Sequence, residues 1–301
     1  MNKISGKQLY AAAMIGEIFA IFCLQGGIGL LTAAGYAAAS LVVCAAVMPF
    51  AWAYRSGKEL PEAAEFLLLL LIIAWGGSLF AMQWSASEMI YIPYEDHGIS
   101  GKLLVSGLIA LVCLYISSTG IKALGRAAVI AAAIGAVCLA VVVISTLSKH
   151  DWQNMSHTGN ELTFAGEFVR GLLISGNAAA FIVLLGMDKA GTIVRTGVFF
   201  AVRAAVGAVV IVTTVLAVGD IMPAVELPAV MAARLAQPFA AQRIDSLFMI
   251  VFAVYAVFSI AVQSAAAVCL LDRLFPKFRR FRSLTVLSLM LSSALIINNV
   301  R

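Results

Sequence analysis

Long apolar segments recur along the whole chain, and polar or basic loops separate them. A helix needs about 20 apolar residues to cross a bilayer, where only helices and closed barrels satisfy their own backbone hydrogen bonds. Hydrophobic residues make up 62% of the 301 positions and charged residues only 12%, whereas soluble domains carry about 25% charged residues. The sequence therefore predicts an all-α polytopic membrane protein, folded as one transmembrane domain over residues 1–301.

Nine segments have the length and hydropathy expected of transmembrane spans. They are predicted at 8–31, 36–54, about 63–92, 103–118, 127–147, 164–186, 191–218, 244–271 and 283–300. The proline-containing connection at 219–245 is the longest, and the segment PAVMAARLAQ within it predicts a short interfacial helix.

The distribution of basic residues predicts the orientation of these spans. With the N-terminus in the cytoplasm, the inner loops hold thirteen Lys and Arg residues and the outer segments five, while Arg170 and Arg203 lie inside spans. Cytoplasmic loops of membrane proteins carry such an excess. We therefore expect a multi-pass protein of the cell membrane with a cytoplasmic N-terminus, and we attribute the net charge of +5 to topology, without a nucleic-acid partner.

The first span carries an acid, Glu17, nine residues from its start. At about 1.5 Å per residue this carboxylate lies about 13 Å deep, where it costs about 2.5–3.5 kcal/mol on insertion scales. Intramembrane acids commonly bind ligands, carry protons or take part in gating. Alternatively, Glu17 forms a structural pair with a buried arginine, for which Arg203 of the seventh span is the expected partner.

The sixth span contains two polar features. Glu167 and Arg170 are three residues apart, so they can pair on one helix face or reach the interface as a solvated pair. Further along, Ser175, Gly176 and Asn177 weaken a helix. Such a break presents free backbone groups to a substrate in some transporters, whereas a glycine also serves close helix–helix contact.

The first span ends in a glycine-rich run that includes Gln25, Gly26 and Gly27. This run either interrupts the helix or forms its frayed outer end. Its distance of some 17 residues or more from the start of the span favours the helix end.

Metal, cofactor and catalytic motifs are not found. The five cysteines lie in apolar segments without a C-x-x-C pair, and the three histidines fall in loops. Neither a nucleophile–base pair nor a phosphate-binding loop is present. We therefore expect buried structural thiols, no metal, no cofactor and no enzymatic activity.

Several short motifs resemble the B subunit of spore germinant receptors (the GerAB family), which belongs to the amino acid–polyamine–organocation transporter superfamily. Residues 4–9 (ISGKQL), followed by a span with Glu17, resemble the family's start. The segment from Phe164 to Glu167 is similar to the opening of its sixth span, and residues 242–248 (QRIDSLF) are similar to the entry to its eighth. The fifth span and its polar turn, residues 120–146, also fit the family.

The resemblance implies a LeuT-like inverted-repeat helical bundle whose broken first and sixth helices surround a small amino-acid-like germinant. The first repeat would cover about 8–147 and the second about 164–300, incomplete because the family has ten spans and nine are predicted here. It also implies A- and C-type partner subunits in the inner membrane of an endospore. The implied ligand-binding residues are Glu17, Phe19, Ser175, Gly176 and Asn177, although the family has a glycine near the position of Phe19.

Three functions are consistent with these features. The leading hypothesis is a receptor subunit that binds an amino-acid-like ligand and signals germination with its partners. The alternative is a proton-coupled amino-acid permease that uses Glu17. A third is a scaffold without ligand, its pocket filled by Phe19 and its neighbours.

Overall fold

The computed structural model describes residues 4–91, 98–154, 163–187, 193–236, 245–276 and 281–300. These residues form α-helices and a few 3-10 turns, without strands. In chain order the α-helices are α1 Gly6–Phe22, α2 Leu30–Arg55, α3 Glu62–Tyr91, α4 Gly98–Thr119, α5 Ile121–Thr146, α6 Phe164–Ile174, α7 Ala178–Leu185, α8 Ile193–Val218, α9 Pro228–Leu235, α10 Asp245–Leu274 and α11 Arg282–Val300. A 3-10 turn, Ser175–Asn177, joins α6 to α7.

Six helical segments in the described part of the chain are long and apolar enough to cross a membrane. They are α2, α3, α5, the α6–α7 unit, α8 and α10. The apolar stretches of α4 and α11, at 103–119 and 282–298, are shorter, and α1 has 17 residues. Helix length and hydropathy thus support six of the nine predicted spans. The LeuT-like arrangement and the two repeats stay predictions, and residues 242–244 of the family-like motif lie outside the described residues.

The first predicted span is shorter than expected, and the second begins earlier. Helix α1 ends at Phe22, and the last residues assigned to the first span, Leu30 and Leu31, instead begin α2. Gly26 lies between α1 and α2 with φ +73°, a backbone conformation that favours glycine. The candidate break residues 25–27 therefore lie in a connection between two helices, whereas α1 continues without interruption through Phe19.

Helix α1 lies at the centre of the bundle. Residues 15–24 are all buried, and α1 packs mainly against α5 and α10. Helix α2 packs against α6 and α8, while α3 packs against α10 and α11. A helix that is apolar on every side is expected in such a central position, so the sequence of α1 accounts for its burial.

Small residues bring α2 and α6 close together. A Cβ atom added to Gly35 would lie 2.6 Å from the backbone carbonyl carbon of Glu167, and one added to Gly171 would lie 2.9 Å from Cβ of Ala39. Small residues at membrane-helix interfaces allow this approach of the backbones. The contact fixes the sixth span against α2 next to the predicted polar break.

The outer surface of the bundle is apolar. On α5, for example, Ile130, Ile134 and Val137 lie on one face and are exposed. Such a surface is unfavourable in water but suits contact with lipid chains.

The predicted interfacial helix is present as α9, with Pro228 at its start. It is more enclosed than an interfacial helix, because it packs against α8 and α10 and buries Val230 and Ala233.

Candidate functional site

A buried ion pair joins α1 to α8 near the centre of the bundle. Arg203 Nε lies 2.9 Å from Glu17 Oε2, and the two residues are 1% and 3% exposed. The pairing of Glu17 with Arg203 expected from the sequence is therefore present. Both charges are removed from solvent, so each depends on the other for compensation.

Arg203 has further partners on two other elements. Its Nη2 donates a hydrogen bond to Ser175 Oγ, in the 3-10 turn of the sixth span. The guanidinium carbon also lies 5.1 Å from the ring centroid of Tyr36 and 5.6 Å from that of Phe200. Aromatic faces attract a cation at this distance. Arg203 thus connects α1, α2 and the interruption of the sixth span.

The interruption of the sixth span coincides with the predicted polar triplet. The α-helical geometry of α6 ends at Ile174 and resumes at Ala178. Ser175 Oγ donates to the carbonyl of Gly171 at 2.7 Å, which is the back-bonding typical of serine in helices. Gly176 lies directly against the indole ring of Trp75, where a larger residue would overlap the ring. The triplet thus forms a 3-10 turn and a close helix contact, whereas its role in presenting backbone groups to a substrate stays a prediction.

Asn177 is the second centre of the buried cluster. Its Oδ1 accepts hydrogen bonds from Trp75 Nε1 at 2.9 Å and from Gln263 Nε2 at 2.6 Å. Its side chain also lies against Gly16, where an added Cβ would lie 3.0 Å from Oδ1. Elements α1, α3, α10 and the sixth span therefore meet at one amide.

Trp75 and Gln263 were not identified from the sequence. Gln263 is fully buried in α10, and a lone amide in an apolar span is a signal of polar contact between helices. Trp75 has no comparable signal, because tryptophan is frequent in membrane helices. Only the assembled bundle places it against Asn177.

Gln263 donates to Asn177, but its own Oε1 is buried without a hydrogen-bond partner among the described residues. The Asn177 amide also interacts with the carboxylate of Glu17. Buried polar groups are nearly always paired in proteins. The cluster therefore retains hydrogen-bonding capacity for a small polar molecule.

A cavity of about 400 Å³ borders this cluster. It lies where the end of α1 approaches α3, α6 and α11, and Trp75 contributes to its wall. Its other lining residues include Ala20, Gln25, Ser78, Arg170 and Ile174. Of the residues proposed from the sequence, Gln25 and Arg170 thus line the cavity directly, whereas Asn177 adjoins it through Trp75.

Arg170 holds the connection between α1 and α2. Its guanidinium donates to the carbonyl of Gly27 at 3.0 Å and to the carbonyl of Gln25. Arg170 Nη1 is also 3.5 Å from Glu167 Oε1, so the predicted pair within the sixth span is present. Arg170 remains partly exposed, whereas Glu167 is buried.

The ring of Phe19 packs against α10. Phe19 is fully buried, and its ring is 5.3 Å from that of Phe252 in α10, in an edge-to-face arrangement. It is not among the residues that line the cavity beside Arg170. Its proposed role in ligand binding stays a prediction.

Ion pairs join helices at the opposite end of the bundle. Arg273 Nη1 lies 2.8 Å from Glu65 Oε1, which joins α10 to α3, and Arg282 pairs with Asp272. Asp272, Arg273 and Arg282 line a second cavity of about 470 Å³. Each of these contacts joins residues that the predicted orientation places on the same side of the membrane, as does the contact of Arg170 with Gln25 and Gly27.

No protein-family model matches the chain, and a comparison with curated protein sequences found no match. The helices and their hydropathy define the class: the chain is a polytopic helical membrane protein. Its candidate site is the polar cluster of Glu17, Arg203, Ser175 and Asn177 with the adjoining cavity.

Proposed function

We propose that this chain is a membrane-embedded receptor subunit, and not an enzyme, that binds a small amino-acid-like molecule. The observation that carries the proposal is the cavity of about 400 Å³ beside the buried polar cluster, at the interruption of the sixth span. The resemblance to germinant-receptor B subunits supports the ligand class. It also supports A- and C-type subunits as partners in the inner membrane of an endospore.

The groups around the cavity suit a zwitterion. Arg170 lines it and offers a guanidinium that can bind a carboxylate in bidentate geometry. The C-terminal end of α1 also lines it, and the negative end of the helix dipole favours an ammonium group. Leu173, Ile174 and Met82 provide apolar walls for a side chain. The volume falls in the usual range of small-molecule sites, about 300–1,000 Å³.

Ligand binding and signalling are coupled through Arg170 in this proposal. Arg170 now binds the carbonyls of Gln25 and Gly27 and so holds the connection between α1 and α2 on α6. A ligand carboxylate competes with these carbonyls for the same guanidinium. Binding therefore favours a conformation in which the connection is released, as a ligand-driven shift of populations requires.

The test is binding of a panel of labelled amino acids to the full chain assembled with its partner subunits. Arg170→Gln should weaken binding at least about tenfold, because it removes a charge-assisted hydrogen bond. Arg234→Gln is the matched control: it removes an exposed arginine on the same predicted side of the membrane and should bind normally. If no amino acid binds the wild-type assembly, the scaffold interpretation replaces the receptor. If Arg170→Gln binds as tightly as wild type, Arg170 is not the carboxylate ligand.

A second candidate is a proton-coupled amino-acid permease. The observation in its favour is that the carboxylate of Glu17 is buried and pairs with Arg203, which in turn donates a hydrogen bond to Ser175 in the 3-10 turn of the sixth span. Uptake by proteoliposomes that contain this chain alone separates the two candidates. Robust accumulation driven by a pH gradient, lost in Glu17→Gln, would establish a permease. Ligand binding without accumulation would support the receptor.

A further inference from the structure

A groove of about 510 Å³ runs between the N-terminal halves of α1 and α8. On α8 its wall is formed by Val194, Val198 and Val202, which are spaced four residues apart and are 74%, 57% and 45% exposed. Its floor is aromatic, because the rings of Tyr10 and the buried Phe199 stack with centroids 5.5 Å apart. The groove is therefore an open apolar channel on the surface of a membrane-length helix.

Two cations line the same groove. Lys7 lies in the first turn of α1, Arg195 lies in the first turn of α8, and both are exposed. The apolar stripe from Val194 to Val202 extends from these cations along α8 toward the middle of the bundle. Positive charge at one end and an apolar channel beyond it match an anionic headgroup followed by an acyl chain. Basic pockets between membrane helices bind such headgroups.

We propose that this groove binds an anionic phospholipid from the leaflet on the N-terminal side, which is cytoplasmic in the predicted orientation. Lys7 and Arg195 contact the phosphate, and an acyl chain lies along Val198 and Val202. A zwitterionic phospholipid offers the same chain without net charge, so the site selects by headgroup. This site is separate from the cavity beside Arg170 and does not depend on the proposed receptor function.

The test measures retention of lipid by the purified full chain, by native mass spectrometry and by competition in nanodiscs. The wild type should bind phosphatidylglycerol more tightly than phosphatidylcholine with identical chains. Lys7→Gln combined with Arg195→Gln should weaken phosphatidylglycerol binding about 25-fold, since each basic residue contributes about fivefold. Lys122→Gln combined with Arg126→Gln is the matched control, because it removes two exposed cations from the same predicted side and should change nothing.

A second variant tests the channel without changing charge. Val198→Trp fills the groove at an exposed position and should weaken phosphatidylglycerol binding about tenfold or more while the protein remains folded. Glycerol phosphate, which lacks acyl chains, should not compete with the lipid. Equal retention of the two phospholipids, or unchanged binding in both variants, would overturn the proposal and indicate that the groove receives another occupant, such as a helix of a partner protein. Effective competition by glycerol phosphate would reduce the site to an anion site.

Discussion

At the scale of residues, the centre of this protein is defined by the contact of Glu17 with Arg203. A charge buried in a membrane protein is costly unless a partner of opposite sign lies close to it. Here the partner comes from a helix more than 180 positions away along the chain. Ser175, Tyr36 and Phe200 then occupy the other faces of the guanidinium.

Removal of Arg203 should strongly destabilise the protein. Arg203→Gln leaves the Glu17 carboxylate buried without its cation, which typically costs about 3–5 kcal/mol. The free energy of unfolding in mixed micelles measures the effect, and Arg126→Gln, which changes an exposed arginine, is the control. The double variant Glu17→Gln and Arg203→Gln should recover part of the loss. Equal stability of Arg203→Gln and Arg126→Gln would contradict the structural importance of the pair.

Asn177 should contribute to stability through its two hydrogen-bond donors. Asn177→Ala leaves Trp75 Nε1 and Gln263 Nε2 without their acceptor, and each unpaired buried donor costs about 1–3 kcal/mol. In a Trp75→Phe background, where one donor is absent, the same change should cost less. A double-mutant cycle of unfolding free energies measures this coupling. Strictly additive costs would show that Trp75 and Asn177 do not interact energetically.

At the scale of elements, the sixth span combines two requirements. It must lie close to α2, which Gly35 and Gly171 permit, and it must leave α-helical geometry at Ser175–Asn177 so that polar side chains reach Arg203 and Trp75. Neighbouring helices and side-chain hydrogen bonds stabilise such interruptions in membranes. The sixth span is therefore held by close packing before its 3-10 turn and by side-chain hydrogen bonds at the turn itself.

Substitution of Gly35 tests this packing. A Cβ at Gly35 would meet the backbone of Glu167 and Phe168 at 2.6–2.8 Å, and backbone cannot move aside as a side chain does. Gly35→Ala should therefore destabilise the protein by about 1–3 kcal/mol, the usual cost of overpacking. Gly107→Ala is the matched control within α4, since nothing lies within 4 Å of its added Cβ. Alanine has a higher helix propensity than glycine, so Gly107→Ala should leave the free energy of unfolding unchanged or raise it by up to about 1 kcal/mol. Similar effects of the two changes would refute a close α2–α6 contact.

At the scale of the whole molecule, contacts at both ends of the bundle are consistent with one orientation. Arg170 meets the connection between α1 and α2 at the predicted outer end, and Arg273 meets Glu65 at the predicted inner end. Residues predicted to lie on the same side of the membrane are thus found together. The orientation itself rests on the bias of basic residues between loops.

Labelling of single added cysteines tests this orientation. Lys58 and Lys149 are exposed, and they lie in loops predicted on opposite sides of the membrane. In intact cells an impermeant maleimide should label Lys149→Cys, whereas Lys58→Cys should react only after permeabilisation. The unmodified protein gives the baseline: Cys23, Cys113 and Cys138 are buried as expected, whereas Cys44 and Cys269 are partly exposed and contribute any background labelling. Labelling of both added cysteines from one side would overturn the predicted topology.

The sequence contained enough information to locate most helices and the main polar residues inside them. Hydropathy is a local property, so the described parts of the predicted spans at 63–92 and 191–218, residues 63–91 and 193–218, are correctly assigned to helices. The predicted limits of the first two helices were less accurate. Leu30 and Leu31 are apolar, so hydropathy alone cannot tell whether they end the first helix or begin the second. The turn between the two helices includes Gly26 at positive φ, a backbone conformation that hydropathy does not report.

The sequence alone determined that this protein crosses a membrane, because apolar length and the cost of burying charge depend on residue type. It also singled out Glu17 and Arg203, since a charge inside an apolar span is unfavourable unless it has a functional role or a partner of opposite charge. Only the tertiary structure decided that Trp75 and Gln263 meet at Asn177, and that a cavity opens beside Arg170. These features depend on the rotation and approach of helices that are distant in sequence, where the surrounding lipid is as apolar as the helices and leaves their facing surfaces unspecified.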